Sequence, residues 1–148
     1  MISHTQTILH DPHRKPGEPV GDCLRTCVAC LLDLPVESVP HFVDAQVNGG
    51  SDWRLEMFAW LEPMGLSVVE IDLSSTGPAA YGEAWLWIDR GGRCIISGIS
   101  PRSIDEANPT YHAVIGEGGE ITHDPHPSRG GLAGSADQWK YMFLVRKF

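Results

Sequence analysis

No stretch of this 148-residue chain is apolar for long enough to cross a bilayer as a helix. Residues 1–10 have no basic stretch followed by an apolar run of the kind that directs export, so a cytoplasmic protein that enters no membrane is expected. Basic residues are scarce, with 11 Lys and Arg against 19 Asp and Glu and a formal charge of -8. Phosphate binding needs clustered cations that release counterions, and no basic stripe exists here, which argues against a nucleic-acid partner. The surplus of acids also disfavours anionic membranes and acidic substrates in bulk. Runs of like charge are absent as well, while 42% of residues are hydrophobic, so a folded chain is expected rather than a solvated tail. Its length suits one core, and one domain over residues 1–148 is the working expectation.

Cysteine is sparse, and three of the four, Cys23, Cys27 and Cys30, fall in one short segment. From Asp22 onward, apolar residues at three- and four-residue steps (Cys23, Cys27, Cys30, Leu31, Leu34) predict a helix with one buried face and Asp22 as its N-cap. Neighbours on one helix are poorly placed for a disulfide, which fits a reducing compartment. Before this helix, residues 1–21 read as a short strand running into a His-, Pro- and Gly-rich loop. After it, Pro35 and Pro40 bracket one further turn, and a second helix is expected over residues 52–64. Short β-rich runs then follow at 66–73, 84–88, 93–98, 111–115, 120–124 and 139–145. Helices first and strands after suggest an α+β domain, a mainly antiparallel sheet packed against one or two early helices.

Chemistry concentrates at three places. Cys23 stands at the first turn of the predicted helix, where unpaired backbone N–H groups and the helix dipole favour thiolate over thiol. Cys27 and Cys30 point into the body of the domain, and Cys94 sits in the apolar run Arg93-Cys94-Ile95-Ile96, so all three read as core. Far downstream, His112 opens the alternating run Ala113-Val114-Ile115, and Asp124 follows it. A cysteine at a helix start followed by a His and then an Asp supplies a nucleophile, a base and an acceptor that fixes the imidazole tautomer. A three-residue loop at Glu117-Gly118-Gly119 would set His112 opposite Asp124. A two-residue Gly118-Gly119 turn would slip the register by one and face His112 with Pro125, unless a bulge intervenes. The backbone N–H of Cys23 is a ready donor for a developing oxyanion.

Gly21-Asp22-Cys23, Cys27, Leu31-Leu32-Asp33-Leu34-Pro35 and Glu37-Ser38-Val39-Pro40-His41-Phe42 resemble the nucleophile helix of papain-like and bacteriocin-leader-type (C39-like) cysteine peptidases. Downstream, Ser97-Gly98-Ile99-Ser100-Pro101-Arg102, His112-Ala113-Val114-Ile115-Gly116 and His123-Asp124-Pro125-His126-Pro127-Ser128 are similar to segments of small bacterial and phage proteins of that type. The resemblance spans about residues 20–132 and implies a papain-like fold and thiol hydrolysis of a peptide or protein amide without a cofactor. It also implies a Gln shortly before the nucleophile to complete the oxyanion hole. Gly17 and Glu18 occupy that stretch here, which leaves Gln6 as the nearest upstream candidate. His123 and His126, on a Pro-stiffened segment, and Arg102, which would be presented to a substrate carboxylate, are candidate cleft residues.

Two other readings compete with the hydrolase. One is a papain-like binding module whose site has decayed, motivated by the missing Gln and by a chain shorter than most proteases of the superfamily. The other is a zinc protein, because His10-Asp11-Pro12-His13 echoes His123-Asp124-Pro125-His126 and these imidazoles could join Cys23. The Pro within each repeat works against convergence on one ion. Trp53, Trp60, Trp85, Trp87 and Trp139 are expected mainly in the core, with Trp85 and Trp87 on one side of a strand.

Overall fold

The computed structural model describes residues 1–74 and 81–147. Three helices come first: α1 (Cys23–Leu32), α2 (Phe42–Gly49) and α3 (Trp53–Leu61). Strand β1 (Leu66–Asp72) precedes a fourth helix, α4 (Tyr81–Arg90), and strands β2 (Arg93–Ile99), β3 (Tyr111–Glu117), β4 (Glu120–His123) and β5 (Lys140–Arg146) complete the chain. All pairings are antiparallel, in the spatial order β1-β5-β2-β3-β4. Among the described residues the protein is therefore a mixed α+β fold with four α-helices and a five-stranded antiparallel sheet.

Both faces of the sheet are covered, and strand periodicity divides the core in two. Ile95, Ala113, Ile115 and Met142 pack with Cys27, Val28, Cys30, Met57 and Leu61 of α1 and α3. Their neighbours in sequence, Ile96, Val114, Tyr141 and Phe143, turn to the other face and pack with Leu73 and with Ile88 of α4. Strand β3 is buried from His112 to Gly116, the signature of a strand enclosed on both sides.

Four local features depart from the sequence reading or are missing from it. Residues 84–88 are helical: Ile88 is fully buried and Trp85 meets Tyr141 edge-on at 6.3 Å, whereas Trp87 is 56% exposed. An apolar run this short satisfies strand and helix periods alike, and burial of Trp85 and Ile88, three residues apart, decides for the helix. Strands and helices are accordingly interleaved rather than segregated. Helix α2 starts directly after Pro40, with Phe42 buried against Trp60 and the Asp44 N–H donating to His41 Nδ1. Histidine is a rare cap, so nothing in the ordinary cap code marks this start. Residues 1–21 form no strand.

Asp22 is the fourth. It precedes α1 but makes no side-chain cap, and its carboxylate is fully buried. It accepts instead from the Ile8 N–H at 3.0 Å and Thr7 Oγ1 at 3.1 Å, while its own N–H donates to the Ile8 carbonyl at 3.0 Å. Those bonds clamp the N-terminal segment against the start of α1. Gly21 is needed there, since a Cβ would lie 3.1 Å from the His10 backbone nitrogen.

Candidate active site

The β3–β4 hairpin sets His112 against Asp124. Gly118 and Gly119 both have positive φ, 62° and 81°, as a two-residue primed turn requires, and Glu117 pairs with Glu120. Gly116 pairs with Ile121, but Ile115 pairs with His123, so Thr122 is an extra residue in β4. Without it, alternation would put Asp124 on the face opposite to His112. The bulge reverses that parity, and Thr122 Oγ1 donates to the Ile115 carbonyl at 3.3 Å.

Just past the end of β4, the Asp124 carboxylate accepts from His112 Nε2 at 2.7 Å. The same Oδ1 accepts from the His126 N–H at 2.8 Å, and Oδ2 from the Gly131 N–H at 2.7 Å. Arg129 donates to the Asp124 carbonyl and, at 2.8 Å, to Thr5 Oγ1. Burial pushes the Asp124 carboxyl up, yet its bonds from His112, His126 and Gly131 outweigh that and bring it down to about 2. Burial likewise pushes the His112 imidazole down. Its hydrogen bond to Asp124, its interaction with the Cys23 side chain and the charges of both raise it to about 9. With Nε2–H committed to the carboxylate, Nδ1 is the nitrogen left for proton exchange with the sulfur.

Cys23 is the one half-exposed cysteine of the four, all of them free thiols. Cys27 and Cys30, a Cys-x-x-Cys pair on α1, are fully buried, as expected of core residues, and burial raises both thiols. Cys94 is buried too and pushed up to about 12, chiefly by desolvation. Only the thiol at the tip of α1 opens onto a cleft.

That cleft has a volume of about 1310 Å³ and is lined by Cys23 and His112 together with Gln6, Arg102 and His126. Gln6, 17 residues before Cys23 in sequence, is 5% exposed and is held by its N–H to the Pro125 carbonyl at 2.9 Å. Its Nε2 donates one hydrogen to the Ile8 carbonyl at 2.8 Å, which leaves a second N–H, and its buried Oε1 has no partner. The Asp22 clamp explains how a side chain so far upstream reaches the site. His123, expected in the cleft, turns to the N-terminal segment, where Nε2 donates to the His4 carbonyl at 2.7 Å. Ile99, Ile104 and Tyr111 form an exposed apolar rim, with Ile104 at 81% and Tyr111 at 66% exposure. Of the tryptophans, Trp53 and Trp139 also line the cleft.

Among the described residues no three His, Cys, Asp or Glu side chains converge in a way that would hold a metal ion. His123 and His126 are engaged separately, by His4 and Ser128, and His10 lies 3.4 Å from Thr110 Oγ1. No helix among the described residues is long and apolar enough to cross a membrane. No protein-family model, curated protein or solved structure matches the chain.

Proposed function

We propose that this protein is a thiol-dependent amide hydrolase with a papain-like site, acting through Cys23, His112 and Asp124. The reading is supported above all by one observation: an accessible thiol from the start of the chain and an imidazole and carboxylate from a distant hairpin form one interacting series at a cleft. Proton affinity is arranged for the task, since an imidazole that keeps its proton beside sulfur stabilises negative charge there.

In the reaction, the Cys23 sulfur attacks the carbonyl carbon of a peptide, isopeptide or related amide. Negative charge on the oxygen is met by the Cys23 N–H, unpaired at the first position of α1, and by the second N–H of Gln6. The C–N bond breaks as His112 Nδ1–H gives its proton to the departing amine. Water then attacks the thioester carbon, its proton passing to Nδ1, and the C–S bond breaks to release the carboxylic acid and restore the Cys23 thiolate beside protonated His112. Asp124 holds the ring throughout and stays ionised.

Reaction with p-nitrophenyl acetate tests the acylation step without knowledge of the natural substrate. The expected result is a burst of about one p-nitrophenolate per chain, with an acetyl adduct on Cys23 found by mass spectrometry and lost in Cys23→Ala. No burst and no adduct in folded protein would overturn the hydrolase reading and favour a papain-like binding module.

A further inference from the structure

Beyond the triad, a cationic corner of the cleft has no role in the chemistry above. The His126 ring stands edge-on to that of His112, with centroids 6.0 Å apart. The Ser128 N–H donates to His126 Nδ1 at 3.0 Å, so the neutral ring carries its proton on Nε2, and that N–H has no protein acceptor among the described residues. Ser128 Oγ, 2.8 Å from the same Nδ1, also accepts from Arg102 Nη1 at 3.1 Å. Ser128 thus holds the guanidinium and the His126 ring on one hydroxyl, while most of the Arg102 donors stay unused. Among the described residues no carboxylate lies within ion-pair distance of Arg102, although the chain as a whole carries a charge of -8.

We infer that Arg102 and the Nε2–H of His126, braced by Ser128, form a subsite for a carboxylate on the leaving-group side of the bond that is cut. The side belongs to the inference: His112 delivers its proton to the departing amine, so that amine lies beside His112, and the centre of the His126 ring is 6.0 Å from that of His112. An α-carboxylate on the amine falls within that distance. A guanidinium with free paired donors and an imidazole N–H match two carboxylate oxygens. Burial and the charges of Arg102 and His112 lower the His126 imidazole, which keeps it a neutral donor near pH 7. The substrate class that fits is an amide whose leaving group ends in a free amino-acid carboxylate. This inference refines the hydrolase reading and rests on it for the choice of side.

The subsite is tested by alkylating Cys23 with iodoacetate and with iodoacetamide, reagents that differ in one negative charge and both form a C–S bond as iodide leaves. The ratio of their rates, followed by mass spectrometry of the Cys23 peptide, reads the local field and needs no amide cleavage. In Arg102→Gln the iodoacetate to iodoacetamide ratio should fall by about threefold or more, as expected for removal of one partly screened charge. Lys147→Gln, a cation outside the cleft paired with Glu62, should leave it unchanged. An unchanged ratio in Arg102→Gln, or an equal fall in Lys147→Gln, would overturn the subsite even if hydrolysis is found. Conversely, failure of the p-nitrophenyl acetate burst would count against hydrolysis while the ratio still decides whether this corner attracts an anion. For cleaved peptides, Arg102→Gln should raise KM for those ending in a free carboxylate next to the scissile bond and not for their carboxamides.

Discussion

Replacing Asp124 by Asn would change one oxygen for an NH₂ group and remove a charge, and three donors make the outcome calculable. His112 Nε2–H and the His126 N–H both point at Oδ1, and the Gly131 N–H at Oδ2. An Asn oxygen can take the place of only one of the two. If it keeps Oδ1, its NH₂ meets the Gly131 N–H donor to donor, and a buried amide without an acceptor costs about 1–3 kcal/mol. The charge contributes separately. His112 is raised from 6.5 to about 9, and at 1.36 kcal/mol per pKa unit that corresponds to about 3 kcal/mol, part of it owed to Cys23. Because the folded value lies above the unfolded one, this stabilisation is complete below about pH 6.5 and disappears as pH rises through about 9. Asp124, held at about 2, contributes the complementary dependence: present above the ordinary carboxylate range and lost as pH falls toward 2. Asp124→Asn should therefore lose about 2–4 kcal/mol at pH 7, with Tm lower by roughly 5–15 °C for a chain of this size. Urea denaturation of both proteins from pH 5 to 10 is the assay. The stability gap should be wide at pH 5–7 and narrow by about half by pH 10. A gap that stays constant within about 0.5 kcal/mol across that range would refute the claim that the His112–Asp124 charge pair is what stabilises this corner.

Two further predictions concern the elements that assemble the site. Asp22→Ala should cost about 2–4 kcal/mol, since it strands the Ile8 N–H, and should speed hydrogen exchange at residues 6–8 more than within α1; faster exchange confined to the first turn of α1 would restore Asp22 as a helix cap. Deleting Thr122 removes the bulge and moves Asp124 to the other face, so the His112 imidazole, followed by NMR, should titrate well below about 9 in a protein that remains folded; an unmoved titration would show that the bulge does not set the pairing.

What is legible in the sequence, and what is not, divides along the range of the interactions. The α1 period, the buried Cys27 and Cys30, and five of the β runs follow from spacing within a few residues. The series Cys23, His112, Asp124 can be chosen by residue type and order, because few other side chains offer those functions. The hairpin is undecidable from sequence, since a glycine pair fixes the turn but nothing local announces that Thr122 will be left unpaired. Residues 84–88 mislead because an apolar pentapeptide satisfies both periods, and the surface that selects a helix is supplied by residues distant in sequence, Ile96, Val114, Tyr141 and Phe143 of the sheet. His123 is drawn to the cleft by its neighbours Asp124 and His126, yet strand alternation sends it elsewhere, to His4. The role of Asp22 is hidden for the same reason: its partners, Thr7 and Ile8, are distant in sequence, whereas the cap code is local.

That last contrast bears on how the cleft is built. Cys23 and His112 sit on a helix and a strand packed into one core, so their separation is fixed by apolar burial and should tolerate changes at the surface. Gln6 is different. It reaches the cleft through polar bonds alone: the Asp22 clamp on one side, and on the other the Pro125 carbonyl, with Arg129 tying Thr5 to the Asp124 backbone. Asp124 and the segment that carries Gln6 are thus joined by Arg129 and the Pro125 carbonyl. A change that loosens Asp124 will also loosen the N-terminal segment. Under the proposed mechanism, Cys23 and His112 remain in place when these bonds fail, while Gln6 as oxyanion donor and the orientation of the His112 ring are lost together. Loss of the polar frame should therefore reduce the rate of acylation before it reduces the alkylation of Cys23.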